Sequence, residues 1–422
     1  MIIIVGAGIS GLTAAQKLPR GVEPIILEKT GTIGGLSTQY RSNQYEFDYG
    51  GHYFHFQNNL EIKNDLEQFC DFAEFKRKSK TYLSGRYIPF PVQFHLGYLP
   101  SKLKSKILDE ILLTPPTPST GANSNLYGYL EAHFGTTLLD LFFKPFLKKY
   151  YLQDLNELAA DMDKGSIPIP DKTQIEAGAH GEKFAFAGYN PRLYYPKRSL
   201  RYFIERYAAN VKHCIRFNEE VLEVDTLKKT VRTPLRQYPY ETLVSSMPLN
   251  ELLNIVKPAG LFPGAHLLKY VSTLVTNVIL KKRSKRFHWA YLAEERFPFY
   301  RVGFYARHPF PACYLERNIR PGAVIDRKKL REEVIYTLMT LKVIRGEDEV
   351  VYIDSRVIPV GYVVFDKHWR EIVPAVLEKL ENQRIYSIGR YGQWNYSSMS
   401  MDIHAAYACA QEIAAVCRPN KP

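Results

Sequence analysis

MIIIVGAGISGLTAAQKLPRGVEPIILEK, residues 1–29, holds a complete supersecondary unit. Met1 to Val5 form an apolar run of the kind a fully buried parallel strand shows. Gly6, Gly8 and Gly11 follow, then a helical stretch from Leu12 to Leu18, then a second apolar run, Pro24 to Leu27, closed by Glu28. Strand, tight turn, helix and strand ending in an acid are the context a glycine-rich fingerprint requires. Glu28 stands about 20 residues beyond Gly6, the separation at which an acid meets ribose hydroxyls. Each glycine has a task. Gly6 allows the turn, Gly8 lets backbone approach a pyrophosphate, and Gly11 permits close helix–strand packing. The helix N-terminus offers unpaired N–H groups and a partial positive charge to phosphates. A glycine-rich turn in another α/β unit is the bland alternative; the four context elements together favour a dinucleotide.

Paired glycines continue downstream. Gly34 and Gly35 lie in KTGTIGGLSTQY, and Gly50 and Gly51 lie in YEFDYGGHYFHF (45–56), followed by His52 and His55. Such pairs let backbone lie close to a flat ligand that a Cβ would obstruct. From Glu61 to Tyr151 the apolar periodicity reads as helical. KLKSKILDEILL carries one amphipathic stripe, and TTLLDLFFKPFLKKYY is expected to kink or end at Pro145. TPPTPSTGANS, residues 114–124, reads as a surface linker, with a lid as the sharper alternative. Strands are expected in EEVLEVD, ETLVSSM, YVSTLVTNVILKK (270–282), Phe299 to Tyr305 and Val350 to Ile353, and a helix over 403–416. No internal repeat is present.

The 422 residues, 45% hydrophobic and 23% charged, exclude a disordered tail protein and suffice for a core without disulfides or structural metal. Lys and Arg number 56 against 43 Asp and Glu, a formal charge of +13, which favours anionic company. Cys70, Cys214, Cys313, Cys409 and Cys417 are scattered, odd in number and without a CxxC pair. That argues against a disulfide framework or zinc site, so no metal is expected, and it fits a reducing compartment. The first residues lack a basic n-region, and no stretch approaches the roughly 18 apolar residues of a membrane span. A cytoplasmic protein is expected, with peripheral membrane contact left open. The basic run 281–286, KKRSKR, reads as a solvated turn before it reads as a steering or membrane patch, and no nucleic-acid module is recognisable.

Three segments narrow the family. FDYGGHYFH resembles the stretch that passes the flavin ring in UDP-galactopyranose mutases and their protoporphyrinogen-oxidase-like relatives within the amine oxidase superfamily. FPFYRVGFY (297–305) resembles the mutase segment carrying a substrate-contacting arginine, here Arg301. IGRYGQWNYSSM (388–399) resembles the C-terminal mutase motif, with Arg390 and, six positions on, Tyr396. KPFLKKYY (144–151) is similar to the place where the mutases set an aromatic residue on the uracil side, here Tyr150 or Tyr151. YYPKRSLRYFIERYA resembles the entry to the middle FAD-domain helix, with Arg198 and Ser199 where the family has paired glycines. The acid expected after the C-terminal tyrosine is replaced by Ser398, the nearest being Asp402.

The resemblance implies an α/β, FAD-binding Rossmann-like fold of the two-dinucleotide-binding-domain flavoproteins, with a helical insert and an antiparallel β-sheet substrate domain. The expected division is a discontinuous FAD domain (1–60, 196–248 and 384–422), a mainly helical insert (61–195) and a β-sheet domain (249–383). FAD is the implied cofactor, held by Gly6, Gly8, Gly11, Glu28, Gly34, Gly35, Gly50, Gly51, Val221, Gly389 and Met399. The implied reaction interconverts pyranose and furanose forms of a UDP-sugar or similar nucleotide sugar, as in polysaccharide or secondary-metabolite assembly. Reduced flavin N5 is the nucleophile on the anomeric carbon, and an external reductant is required. Arg301 and Arg390 suit the leaving diphosphate because guanidinium is a permanently charged, planar fork of donors. For Arg301 a structural ion pair is the competing reading. His52 is placed at the flavin's reactive edge, with a backbone-satisfied histidine as the alternative. Tyr150, Tyr151 and Tyr396 are candidate substrate contacts, although packing explains many of the 30 tyrosines. Two other classes stand against this: an FAD oxidoreductase of the amine oxidase, protoporphyrinogen oxidase or desaturase type, and a flavin-free binding protein similar to Rab GDP-dissociation inhibitors.

Overall fold

The computed structural model describes residues 1–56, 59–113, 125–160, 167–184, 190–283, 285 and 287–417. The linker 114–124 and two members of the basic run, 284 and 286, lie outside the described residues. The chain forms two compact units, one of Met1–Glu74, Tyr194–Lys269 and His368–Pro422, the other of Phe75–Leu193 and Tyr270–Lys367. Within 61–195, expected to be mainly helical, Ser79–Leu83 pairs parallel with Trp289–Leu292 and so joins the seven-stranded sheet.

In the first unit, β1 (Ile2–Val5) is buried throughout and leads through Gly6 to Gly8 into α1 (Ile9–Lys17), after which β2 (Ile25–Glu28) returns parallel to β1. Ile3 pairs with Ile25 on one side and with Leu243 on the other. The five-stranded parallel sheet runs Ile385–Ser387, Thr242–Ser245, β1, β2, Ile215–Phe217. Its near-continuous Ile, Leu and Val content is what strands covered on both faces require. Gly6 has φ +96°, and a Cβ on Gly11 would lie 2.0 Å from the Gly6 carbonyl oxygen, so α1 crosses β1 at a separation only glycine allows. β3 (Tyr45–Asp48) pairs antiparallel with Gln39–Ser42 and delivers the chain to Gly50 and Gly51. The C-terminal helix spans Met399–Cys417, starting earlier than expected, and packs on α1. Ser398 precedes its first residue and accepts from the Met401 N–H at 3.4 Å.

The expected helical tract is broken by Phe72–Lys76 and, in the second unit, by Ser79–Leu83 and Arg86–Pro89. The last two form a hairpin whose turn residues, Ser84 (φ 52°) and Gly85 (φ 75°), are both left-handed, as a two-residue hairpin turn demands. A helix over Leu126–Leu138 is interrupted at Gly135, continues through a π-turn at Leu139–Phe143, and resumes as α2 (Lys144–Tyr151) with Pro145 in its first turn. Pro145 therefore starts a helical segment, where its missing N–H costs least. The seven-stranded sheet follows the order β8 (Val350–Val363), β4 (Tyr270–Leu280), β7 (Ala312–Ile319), β6 (Arg301–Phe304), β5 (Trp289–Leu292), Ser79–Leu83, Arg86–Pro89. One core cluster, including Leu274, Val278, Val302, Leu315 and Val334, lies against this sheet. β8 extends ten residues past its expected end at Ile353 because β4 pairs along it to Val363.

Candidate functional site

The first unit gathers most of the expected cofactor residues at the C-terminal ends of β1 and β2. Gly34 bridges Gly8, and the Gly34 N–H donates to the Ala7 carbonyl at 2.8 Å. A Cβ on Gly8 would meet no atom within 4 Å, so the backbone there faces open space beside the start of α1. Glu28 is buried. One carboxylate oxygen accepts the Ala7 N–H at 2.9 Å, and the other accepts the Thr30 N–H at 2.9 Å and the Thr30 hydroxyl at 2.8 Å. An ionised carboxylate has about four acceptor sites, so capacity remains for a ribose hydroxyl. Val221 is buried two residues beyond Glu219, whose N–H donates to the Glu28 carbonyl at 2.9 Å. An open glycine floor, an anchored acid and a helix N-terminus fit a dinucleotide pyrophosphate and ribose.

Two loops join this cradle from far along the chain. Gly389 has φ +76°, and a Cβ there would lie 2.4 Å from the Ser10 hydroxyl on α1, so the C-terminal motif begins hard against the elbow. Arg390 then donates from Nη1 to the Ser397 carbonyl at 2.7 Å and lies 4.5 Å from the Tyr396 ring centroid. Asp402 accepts from the Ser397 hydroxyl at 2.5 Å; burial pushes its carboxyl up to about 6, against the lowering effect of Ser397 and Arg390. Tyr396 is 40% exposed. Met399 is buried at the start of the C-terminal helix. The next turn reaches the second loop: the Ser400 hydroxyl donates to the His55 carbonyl at 2.6 Å and accepts the His55 N–H at 3.2 Å. His52 is half-buried, its N–H bonded to the Gly50 carbonyl at 3.1 Å, just beyond Gly50 and Gly51. Beneath these glycines Asp48 accepts the Tyr195 hydroxyl with both carboxylate oxygens, each at 3.0 Å. Burial pushes this carboxyl up to about 7, opposed by the hydrogen bonds of Tyr195 and Gln39.

The second unit brings Tyr150 and Arg301 together through Tyr300, Glu316 and Tyr362, to which the sequence reading gave no role. Arg301 stands opposite Glu316 across β6 and β7, and its Nε and Nη2 lie 2.7 and 2.5 Å from one Glu316 oxygen. Tyr300 donates its hydroxyl to the same oxygen at 2.8 Å. Burial, then the Glu316 charge, raise the Tyr300 pKa well above its ordinary value. Burial would lower the Arg301 pKa, but the Glu316 carboxylate together with Tyr362, Tyr314 and Tyr300 raises it well above its ordinary value. The Tyr150 ring packs on Tyr300 (centroids 5.0 Å) and Tyr362 (4.5 Å), while Tyr151 is buried beside it. Glu316 had one legible signal, a carboxylate inside the apolar strand ACYLERNI; Tyr300 lay within FPFYRVGFY without being singled out, and Tyr362 had no signal.

Among the described residues no group of three His, Cys, Asp or Glu side chains is placed to hold a metal ion, and no helix is long and apolar enough to cross a membrane. Cys70, Cys214, Cys313 and Cys409 are buried free thiols. Of the basic run, Lys281 pairs with Asp348 at 3.2 Å, and Arg283 donates to the His308 carbonyl at 3.2 Å.

Residues 4–69 match the family model of an NAD(P)-binding Rossmann-like domain. Over 99% of this chain and 94% of the other, the fold is similar to a crystal structure of reduced UDP-galactopyranose mutase, at 21% identity and a TM-score of 0.92. A protein assigned as a protoporphyrinogen oxidase from Exiguobacterium sp. 255-15 matches over 98% of both chains at 15% identity and a TM-score of 0.76. A putrescine oxidase double mutant matches over 98% of both chains at 14% identity and a TM-score of 0.70. The fold is thus α/β with a Rossmann-like domain and a separate antiparallel sheet, shared with these three proteins.

Proposed function

We propose that this chain is an FAD-dependent enzyme interconverting the pyranose and furanose forms of a nucleotide sugar. The observation that carries the reading is Gly389 seated against Ser10: the dinucleotide elbow and the segment bearing Arg390 and Tyr396 meet at one place. Gly6, Gly8, Gly34, Gly35 and Glu28 would hold the ADP half of FAD, and Gly50, Gly51 and His52 would border its ring. Reduced flavin supplies a nucleophilic nitrogen for an anomeric carbon. The chain's own part is electrostatic. By the resemblance, Arg390 and Arg301 are each the candidate to take up charge on a departing diphosphate, a charge-assisted bond of this kind contributing about 1.5–3 kcal/mol. Tyr150, held edge-on by Tyr300, offers a face to a nucleobase.

The test is direct. Purified protein supplied with FAD is reduced with dithionite and incubated with UDP-galactose and related nucleotide sugars. Isomerisation by reduced but not oxidised protein is expected, and its absence with every sugar tried rejects the reading. A protein that takes up no FAD supports a flavin-free binding role instead.

A second reading, an FAD oxidoreductase, has its own support: Glu316 occupies two of the Arg301 nitrogens, and Ser398 stands where the mutase resemblance expects an acid. Oxygen consumption with amine substrates, coupled to flavin reoxidation, separates it from isomerisation.

A further inference from the structure

Lys149 lies on α2 one residue before Tyr150, and it is largely buried. Its ammonium is surrounded by main-chain oxygens from the end of β5, Leu292 at 2.5 Å, and from the loop that follows, Glu294 at 3.0 Å, Phe297 at 3.1 Å and Phe299 at 3.4 Å. That loop, 293–300, joins β5 to β6 and delivers Tyr300 and Arg301. It is tied at its ends by Leu292 N–H to the Tyr300 carbonyl (2.8 Å) and Tyr300 N–H to the Glu316 carbonyl (2.9 Å), and at its turn by Phe297 N–H to Glu294 (3.1 Å). Ala293, Phe297 and Phe299 are fully buried. Buried carbonyls need donors, and here the protonated Lys149 side chain, whose pKa burial pulls from 10.5 to about 7 against the charges of Glu294 and Glu295, brings three N–H groups to four of them. The arrangement is that of a cage for a monovalent cation, filled by a side chain from a helix more than a hundred residues earlier. The same helix end is fixed again by Asn318, whose amide donates to the Tyr150 carbonyl at 2.5 Å while accepting the Thr273 hydroxyl at 2.7 Å.

We propose that Lys149 is a positioning residue: its ammonium fills a carbonyl cage that fixes loop 293–300 and so holds Tyr300 and Arg301 in register with Tyr150. The ligand part of this inference rests on the nucleotide-sugar reading; the cage does not. Removing the ammonium takes a donor from the Leu292, Phe297 and Phe299 carbonyls and leaves Glu294 with the Phe297 N–H alone, so the loop turns these oxygens to water and Arg301 loses its fixed distance from Tyr150.

The test uses the full chain with Lys149→Ala, which empties the cage, and Lys149→Met, which fills it without charge. Amide hydrogen exchange across 293–300 should rise about tenfold or more in both, a loss of about 1.4 kcal/mol of local protection. The dissociation constant for UDP should rise about tenfold in both. Propylammonium at tens of millimolar should restore protection and UDP affinity in Lys149→Ala but not in Lys149→Met, whereas tetramethylammonium, with no N–H, restores neither. Should Lys149→Ala not fold, Lys149→Gln, with two N–H groups and no charge, is expected to fold with intermediate protection. Unchanged exchange in the variants overturns the cage, and a loosened loop with unchanged UDP affinity overturns the positioning role. Wild-type protein that binds no UDP rejects the nucleotide-sugar reading, while the exchange measurement still decides the cage.

Discussion

Gly11 and His288 show how much single positions carry. Any Cβ at Gly11 would sit 2.0 Å from the Gly6 carbonyl oxygen, main chain that has no rotamer to change. Gly11→Ala should therefore push α1 off β1, costing about 1–3 kcal/mol in urea denaturation and lowering flavin uptake. An unaltered midpoint would contradict the close crossing. His288 accepts the Lys78 N–H on Nδ1 at 3.0 Å, and burial, aided by the Lys78 charge, pulls its pKa from 6.5 to about 4. The unfolded chain thus binds more protons than the native one between those values. Stability contributed by neutral His288 is full above pH 6.5 and is lost as pH falls towards 4, by up to about 3 kcal/mol. His288→Asn retains an acceptor near the Nδ1 position without titrating, so its stability should fall less between pH 7 and pH 4. Parallel curves for the two proteins would refute the assignment. The glycine positions were readable one by one, since each obeys a local backbone rule. The neutral state of His288 was not, because it depends on burial in the folded chain and on a main-chain donor 210 residues away.

At the scale of elements, β6 and β7 illustrate how a sheet sets a site. Gly303 faces Tyr314 in register, and a Cβ there would lie 2.0 Å from the tyrosine ring. Gly303→Ala should cost about 1–3 kcal/mol by overpacking, and adding Tyr314→Leu should recover part of that loss. Additive losses in the double variant would show that the two positions do not touch. The same register places Arg301 opposite Glu316. Strand identity was evident for Tyr270–Leu280, rich in β-branched residues, but the hairpin Ser79–Leu83 and Arg86–Pro89 was absorbed into a helical reading. Its one local signal was the Ser84–Gly85 pair. Period-two alternation over four or five residues is too short to outweigh helical periodicity on both flanks.

For the whole molecule, the charge of +13 makes a prediction that no single residue makes. UDP affinity should weaken as ionic strength rises from about 20 to 200 mM, since screening shortens to about 8–10 Å near physiological salt. A salt-independent dissociation constant would confine recognition to short-range contacts. The βαβ unit at residues 1–29 was determined by the sequence alone, because strand, turn, helix and acid are contiguous and each is governed by neighbours within a few positions. The meeting of Gly389 with Ser10, of Ser400 with His55, of Arg301 with Glu316 and of Lys149 with four carbonyls was decided only by the tertiary structure. In most of these the partners lie over a hundred residues apart, and local pattern carries no information about which distant group will satisfy a buried charge or main-chain oxygen. Folding supplies that pairing by bringing strands into register and removing water from between them.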